Sequence, residues 1–509
     1  MKVTHTSILK RFLLVIAAII LIIVLSAAWV VTPGLREPAA VPHPDYWPTD
    51  GWRTNTPEQQ GFDSVKLAEA LKAIQERGTD IDSLLIIHNG YLVLDAHFAP
   101  YDGTFPHNLA SVTKSVMTTL IGIAVDQGKI DLDQSMVSFF PNRTIANLDE
   151  RKAHMTVRHL VTMRNGMQSG CEPDDMPTID AMRANPDWVQ AALDRPMVTE
   201  PGTMFCYDSP GMHILSAILQ ESTDMTAMQF AQQNLFGPLG IQDAFWDVDP
   251  QGYNRGWGDV HMTPESAAKI GYLWLHQGNW NGRQIVSQDW VLDSVRRHST
   301  KVGHDSGYGN GWWINFTRYF AAGRGGQTIH VIPALNIVLV TTGGGFDIPE
   351  IEDDLLLLLL RSNRTLPANP DGEAVLDATL TRIQQTNAVP TGVATPKIAQ
   401  IVSGKLFLCE KNALGLESVR FDFEDPNVAV LYHKPYGQDL VWEIGLDGRY
   451  RQLTPSGDAL VGYWEDAETF HMESFDIGTQ NYLAKFQENN VQIIADDADL
   501  TIVCVAPSS

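Results

Sequence analysis

The chain has 509 residues, 44% hydrophobic and 19% charged, a balance typical of globular proteins and long enough for two or three domains. With 60 acidic against 36 basic side chains, its formal charge is −24. That disfavours nucleic acid as a partner, since such binding depends on neutralising phosphates; a solubilising role is the plain reading of the acidity.

In chain order, Lys2, Lys10 and Arg11 lie in a basic segment, 1–11, ahead of an uncharged run from Phe12 to Val31. Twenty residues of helix span about 30 Å, the thickness of a bilayer core. Basic residues ahead of the run keep its N-terminal end in the cytoplasm. The expectation is a transmembrane signal-anchor helix at 12–31 with everything after it exported, to the periplasmic or cell-surface side. The rival is secretion after signal-peptide cleavage at the small residues Ser26–Ala28, although a signal peptide's apolar region is usually shorter, about 7–15 residues. Residues 32–50 are Pro-rich and lack periodicity, as in a linker.

From 51 to 363 the pattern mixes helix and strand. Residues 83–98 (SLLIIHNGYLVLDAHF) predict two strands joined at Asn89-Gly90, a strong hairpin signal. Val112, Val116, Leu120 and Ala124 recur at helical spacing and Gly128 ends that helix. Helices are also expected at 67–74, 211–223, 264–278 and 351–362, and strands at 307–316 and 327–342, the latter a hairpin around Pro333–Asn336. Strands first, helices in the middle and strands last suggest one antiparallel sheet assembled from both ends of the domain. Residues 364–396 read as a linker with a possible helix at 373–383. From 397 to 509 short alternating strands such as SGKLFLCE and SVRFDFED predict a separate all-β sandwich or barrel.

The chemistry centres on ASVTKSV at 110–116. Ser111 and Lys114, three apart at a helix start, share one face. They are a candidate nucleophile and base; the alternative is a capping serine with a solvated lysine. Tyr207-x-Ser209 precedes another helix, so Tyr207 is a candidate proton relay or a core aromatic. Arg324-Gly325-Gly326 opens a strand whose glycines permit close approach. The Gln327 N–H would then join the Ser111 N–H as an oxyanion hole; otherwise this is a glycine-rich turn. The four cysteines fall one pair in each half, Cys171 with Cys206 and Cys409 with Cys504; an exported chain permits disulfides, and four buried thiols are the alternative. No metal-ligand spacing, phosphate-binding loop or Gly-x-Ser-x-Gly elbow occurs, so no metal or cofactor is expected.

Ser-x-x-Lys, then Tyr-x-Ser, then a Gly-Gly strand resembles the serine β-lactamase and penicillin-binding-protein superfamily. The likeness is to its class C-like branch, which includes family VIII esterases, 6-aminohexanoate-dimer hydrolases and D-alanyl-D-alanine carboxypeptidases. TVRHLVTMRNGM, EPGTMFCYDSPGMHILSAIL, LFGPLGI and GGQTIHVIPALNIVLVTTGG are similar to members of that group, and the resemblance covers about 52–363. It implies an α+β β-lactamase-like domain, antiparallel sheet flanked by helices plus an all-helical part, followed here by the small β domain. It implies Ser111 as acylated nucleophile, Lys114 as base and Tyr207 as second proton-transfer group, with Ser209, Arg324, Gly325 and Gly326 binding substrate. Ser209 stands where the family often has asparagine, and Arg324-Gly325-Gly326 where penicillin-active members have Lys-Thr-Gly. Those departures favour an ester or small amide over a β-lactam or D-Ala-D-Ala peptide as substrate. A non-hydrolytic penicillin- or peptidoglycan-binding sensor is the alternative from another class.

Overall fold

The computed structural model describes residues 41–171, 175–300, 306–347, 349–385, 392–412, 415–435, 439–452, 459–495 and 500–507. The expected transmembrane helix at 12–31 and the basic segment before it lie outside the described residues. Among the described residues no helix is long and apolar enough to cross a membrane.

A nine-stranded sheet organises the first part of the chain. The hairpin Ile81–His88 and Tyr91–His97 turns at Asn89 and Gly90, both at positive φ (51° and 84°), as an Asn-Gly turn requires. The Ile81–His88 strand pairs antiparallel with Ile337–Gly343, Leu85 opposite Val340. Gln327–Ile332, Tyr319–Gly323, Trp313–Ile314, Gly307–Tyr308 and Ser299–Thr300 follow in order. Both ends of this region therefore build one sheet, as the order of elements implied. The expected single strand at 307–316 is instead two short strands, with Gly307 opposite Ile314.

The Ile81–His88 strand is buried on both faces, which is why its Leu84–Ile87 stretch is continuously apolar. Leu85 and Ile87 face one core, with the helices Val112–Asp126, Ser209–Thr223 and Pro264–Leu275. Leu84 and Ile86 face a second, with the helices Ser64–Glu76, Pro349–Arg361 and Pro370–Gln385. Period-2 alternation thus divides one strand between two cores.

Two segments expected as linkers are docked instead. Trp47 lies within about 6 Å, centroid to centroid, of the rings of Tyr272, His276 and Trp280, and the Thr49 carbonyl accepts from the Lys269 ammonium. An aromatic and a backbone carbonyl outweigh the local proline content there. The Pro370–Gln385 helix buries Leu376 and Ile383 in the second core, so it belongs to the first domain.

Residues 406–505 form a ten-stranded sheet that closes on itself where Gly445 of the Leu440–Gly445 strand meets Val461 of Ala459–Trp464. This is the barrel of the two expected forms. Its interior is filled by side chains including Phe407, Phe421, Trp464, Phe470 and Phe486. The structure pairs Cys171 with Cys206 and Cys409 with Cys504.

If the Pro370–Gln385 helix is part of the first domain's core, Ile383→Ala costs about 2–5 kcal/mol, the usual range for a fully buried isoleucine. A urea titration checks this, and a change within about 0.5 kcal/mol, the usual scatter of surface substitutions, would place the helix outside the core.

Candidate active site

Ser111 is presented by a tight turn rather than by the helix alone. His107–Asn108 forms a short strand against Val260–Met262, and the Leu109 N–H donates to the Val260 carbonyl. Ala110 then takes a φ of 44°, in the left-handed region that costs a non-glycine residue roughly 1–2 kcal/mol. The Asn108 side-chain oxygen holds it there by accepting from the Ala110 N–H at 2.8 Å. Ser111 follows as N-cap of Val112–Asp126, but its side chain makes no capping bond. The hydroxyl is therefore not committed to the helix backbone.

It meets Lys114 instead. The Lys114 ammonium lies 2.8 Å from Ser111 Oγ and 2.8 Å from the Trp257 carbonyl oxygen, and 4.7 Å from the centroid of the Tyr207 ring. Lys114 is 1% exposed, and no described carboxylate lies within ion-pair distance of it. This is the opposite of a solvated lysine on a helix face.

Tyr207 stacks on Trp313, centroids 6.0 Å apart, and lines a cleft of about 630 Å³ together with Ser111, Ser209 and Trp257. Its hydroxyl bonds to no described residue. The Tyr207-x-Ser209 segment is anchored from below. The Arg195 guanidinium grips the Asp208 carboxylate with both terminal nitrogens, at 2.6 and 3.0 Å, and the Asn165 amide adds a third bond at 2.7 Å. The Cys171–Cys206 bridge ties the adjoining segment at the cleft wall. The Ser209 N–H donates to Asp175, whose buried carboxylate also lines the cleft. Asn165, Asp175, Arg195, Asp208 and Trp257 were not singled out from sequence. Of these, Asp208 lay within the quoted EPGTMFCYDSPGMHILSAIL and Asn165 within the quoted TVRHLVTMRNGM.

The glycine-rich segment departs from expectation. The residue that abuts the nucleophile turn is Gly323, at the end of the Tyr319–Gly323 strand. A Cβ there would lie 2.6 Å from the Leu109 carbonyl oxygen and 2.9 Å from the Ser111 nitrogen. Arg324, exposed, lines the cleft beside it. Gly325 and Gly326, at φ 86° and 93°, make the hairpin turn behind the cleft, packed on Ile477 and Phe346 respectively. Gln327 is opposite Gly323 on the next strand and fully buried, its amide donating to the Gly343 carbonyl at 2.5 Å. Assigning Gly325, Gly326 and Gln327 to the site is therefore corrected. Strand pairing places Gln327 one strand farther from the nucleophile helix, about 4.8 Å. Among the described residues, the Ser111 and Arg324 N–H groups donate to no backbone carbonyl in the turns and caps.

Behind the cleft lies a charged cluster. The Arg255 guanidinium bridges Asp247 and Asp259, at 3.1 and 2.9 Å. Burial tends to raise the Asp259 carboxyl, but Arg255 outweighs it and holds it below the usual range. Asp247, given the weaker share of that one cation, is pushed up to about 7 by burial, and one of its oxygens has no partner.

A family model described as "Beta-lactamase" matches residues 67–355, more than half the chain. The chain belongs to the β-lactamase family and is a serine hydrolase of that type. It is 26% identical over 299 residues to 6-aminohexanoate-dimer hydrolase of Paenarthrobacter ureafaciens, covering 54% of this chain and 76% of that protein. It is 26% identical over 154 residues to monacolin J acid methylbutanoyltransferase of Aspergillus terreus, covering 27% of this chain and 37% of that one. Among solved structures, a candidate 6-aminohexanoate-dimer hydrolase from Bacillus anthracis superposes with a TM-score of 0.52 at 18% identity, over 62% of this chain and 89% of that one, a likeness of fold.

Two outcomes are expected. Because the folded-state carboxyl of Asp247 is raised, its contribution to stability is complete below about pH 4, the unfolded value, and is lost as pH rises through about 7. Asp247→Asn should flatten this part of the stability–pH curve, measured by thermal melts from pH 4.5 to 8.5; an unchanged slope would contradict it. Reducing the Cys171–Cys206 bond should lower turnover without global unfolding, since it frees the cleft wall and not the core. Kinetics unchanged after the bond is shown broken would overturn that.

Proposed function

We propose that this protein hydrolyses a carboxylic ester or small amide through an acyl-enzyme on Ser111. The observation that carries the reading is the uncapped Ser111 hydroxyl 2.8 Å from the buried Lys114 ammonium, at the edge of a cleft large enough for a small molecule. In this reading Lys114, in its neutral form, takes the Ser111 proton as the oxygen attacks the substrate carbonyl. The Ser111 and Arg324 N–H groups receive the charge that develops on the carbonyl oxygen. Tyr207, whose phenol is unengaged by described residues, relays the proton to the departing alcohol or amine. Water then enters, loses a proton to the same base and releases the acid.

Ester and small-amide substrates fit better than β-lactams or D-Ala-D-Ala peptides. The strand that reaches Ser111 reads Ala321-Ala322-Gly323, without a hydroxyl or ammonium to hold a β-lactam carboxylate. Cleft residues such as Met176, Ile179, Trp257, Trp313 and Phe320 favour an apolar acyl or leaving group. The names of the relatives, a 6-aminohexanoate-dimer hydrolase and a methylbutanoyltransferase, agree with acyl chemistry of this kind. Export and membrane anchoring through 12–31 form part of the proposal. The basic-then-apolar N-terminus supports them, as do two disulfides, which persist in oxidising compartments.

A fluorophosphonate probe should label the wild type and fail on Ser111→Ala. On a panel of p-nitrophenyl esters, nitrocefin and D-Ala-D-Ala peptides, the esters should turn over fastest, and Ser111→Ala and Lys114→Ala should each lose at least about 10³-fold in kcat. A folded wild type that neither labels nor turns over any ester sinks the reading.

A further inference from the structure

The cleft holds two guanidinium groups that acyl transfer itself does not use. Arg183 ends the Met176–Arg183 helix, and Arg324 follows the Tyr319–Gly323 strand. Both side chains are exposed and both line the cleft that holds Ser111. Among the described residues, neither meets a carboxylate within ion-pair distance and neither side chain donates a hydrogen bond. The carboxylates of the cleft are engaged elsewhere. Asp175 accepts the Ser209 N–H, and Asp259 is held by Arg255 at 2.9 Å. Asp180, one turn before Arg183 on the same helix, is also out of ion-pair range. In a chain whose formal charge is −24, the charge left unmatched in this cleft is positive.

Arg183 is held in place by rings. Its guanidinium carbon lies 5.7 Å from the centroid of Trp257 and 6.0 Å from that of Trp188, within the reach of cation–π attraction. Arg255 lies over the same Trp188 ring at 5.6 Å, but its N–H groups are committed to Asp247 and Asp259. Contact with aromatic rings leaves the N–H fork of Arg183 unspent, and that fork matches the two oxygens of a carboxylate. Trp257 relates this fork to the reacting groups, because its ring meets Arg183 while its carbonyl accepts from the Lys114 ammonium at 2.8 Å. A single residue therefore separates the guanidinium from the base. The helix that carries Arg183 also lines the cleft with Met176 and Ile179, and Ile179 and Arg183, four apart, share one face. A chain lying along that face passes over apolar side chains and ends at a cation.

We propose that the cleft selects substrates bearing a carboxylate set apart from the scissile ester or amide by an apolar spacer, and that Arg183 is the residue that recognises this carboxylate. Arg324 adds positive charge from the strand side. The inference rests on the Ser111 reading and narrows its substrate class to anionic esters and amides, such as half-esters of dicarboxylic acids. The bond cleaved and the groups that cleave it stay the same; Arg183 acts on specificity.

The test compares mono-p-nitrophenyl adipate with p-nitrophenyl hexanoate, which has the same chain length, and with the cationic p-nitrophenyl 6-(trimethylammonio)hexanoate. A second pair, 4-butyryloxybenzoate against phenyl butyrate, puts the carboxylate in the alcohol part instead. The full-length wild type should prefer the anionic member of at least one pair by about tenfold or more in kcat/KM, the scale of a charge-assisted hydrogen bond, with the difference mainly in KM. Arg183→Gln should cut that preference about tenfold. Arg183→Lys should keep part of it, since the charge remains and the fork is lost. Arg183→Glu should shift the preference towards the cationic ester. Added salt should lower the wild-type preference more than that of Arg183→Gln, a comparison that the lysine variant serves if the glutamine variant does not fold. A purely structural role would slow all esters in parallel and leave the ratios unmoved, and that result overturns the proposal. So does a wild type that shows no anionic preference in either pair. Both results leave the hydrolase reading intact, whereas a folded wild type that neither labels with fluorophosphonate nor turns over any ester overturns the two together.

Discussion

A buried lysine with no described carboxylate within ion-pair distance is the constraint on which the site depends. Lys114 is held by the Trp257 carbonyl on one side and Ser111 Oγ on the other, both neutral oxygens, with a tyrosine face below. Burying a polar group on such terms is unfavourable unless its hydrogen bonds are met. The surrounding structure has to enforce the arrangement. It does so by placing Lys114 on the first turn of a helix whose other face is wholly committed to the main core.

The elements around that lysine are each fastened from outside the cleft. Arg195 and Asn165 hold Asp208, and so the tyrosine segment. The short pairing of His107–Asn108 with Val260–Met262 holds the nucleophile turn and, two residues before that second strand, the glycine that precedes Asp259. Gly323 lets the end of the Tyr319–Gly323 strand close on the turn. Strain at Ala110 is sustained by these supports together, and the arrangement resembles a frame more than a flexible loop.

The split of the central sheet between two cores explains why the Pro370–Gln385 helix is integral to the first domain. Any helix laid over Leu84, Ile86 and Leu339 must bury an apolar stripe, and Leu376 and Ile383 supply it. Polar and proline-rich flanks conceal this in the sequence, since composition over a window averages a helix with its linkers. The same averaging conceals Trp47, one of two adjacent aromatics in a proline-rich stretch, which docks because a cluster of rings lies ready on the Pro264–Leu275 helix and just after it.

What could be learned from the residues alone was whatever depends on neighbours in the chain. The Asn89-Gly90 turn, the helix carrying Ser111 and Lys114 on one face, the tyrosine just ahead of a helix and the strand alternation of the β domain are all of this kind, because short-range sterics and a fixed period determine them. Which backbone amide faces Ser111 is decided by strand pairing across the sheet. Motif order pointed to the glycine pair and Gln327, while the pairing brings Gly323 and Arg324 to the nucleophile and turns the glycines away. The Arg195–Asp208 clasp spans thirteen residues, and the stacking of Phe475 on Tyr101 spans most of the chain. Neither has a local signature, because contacts across such separations are selected by how packed surfaces fit and not by any period in the sequence.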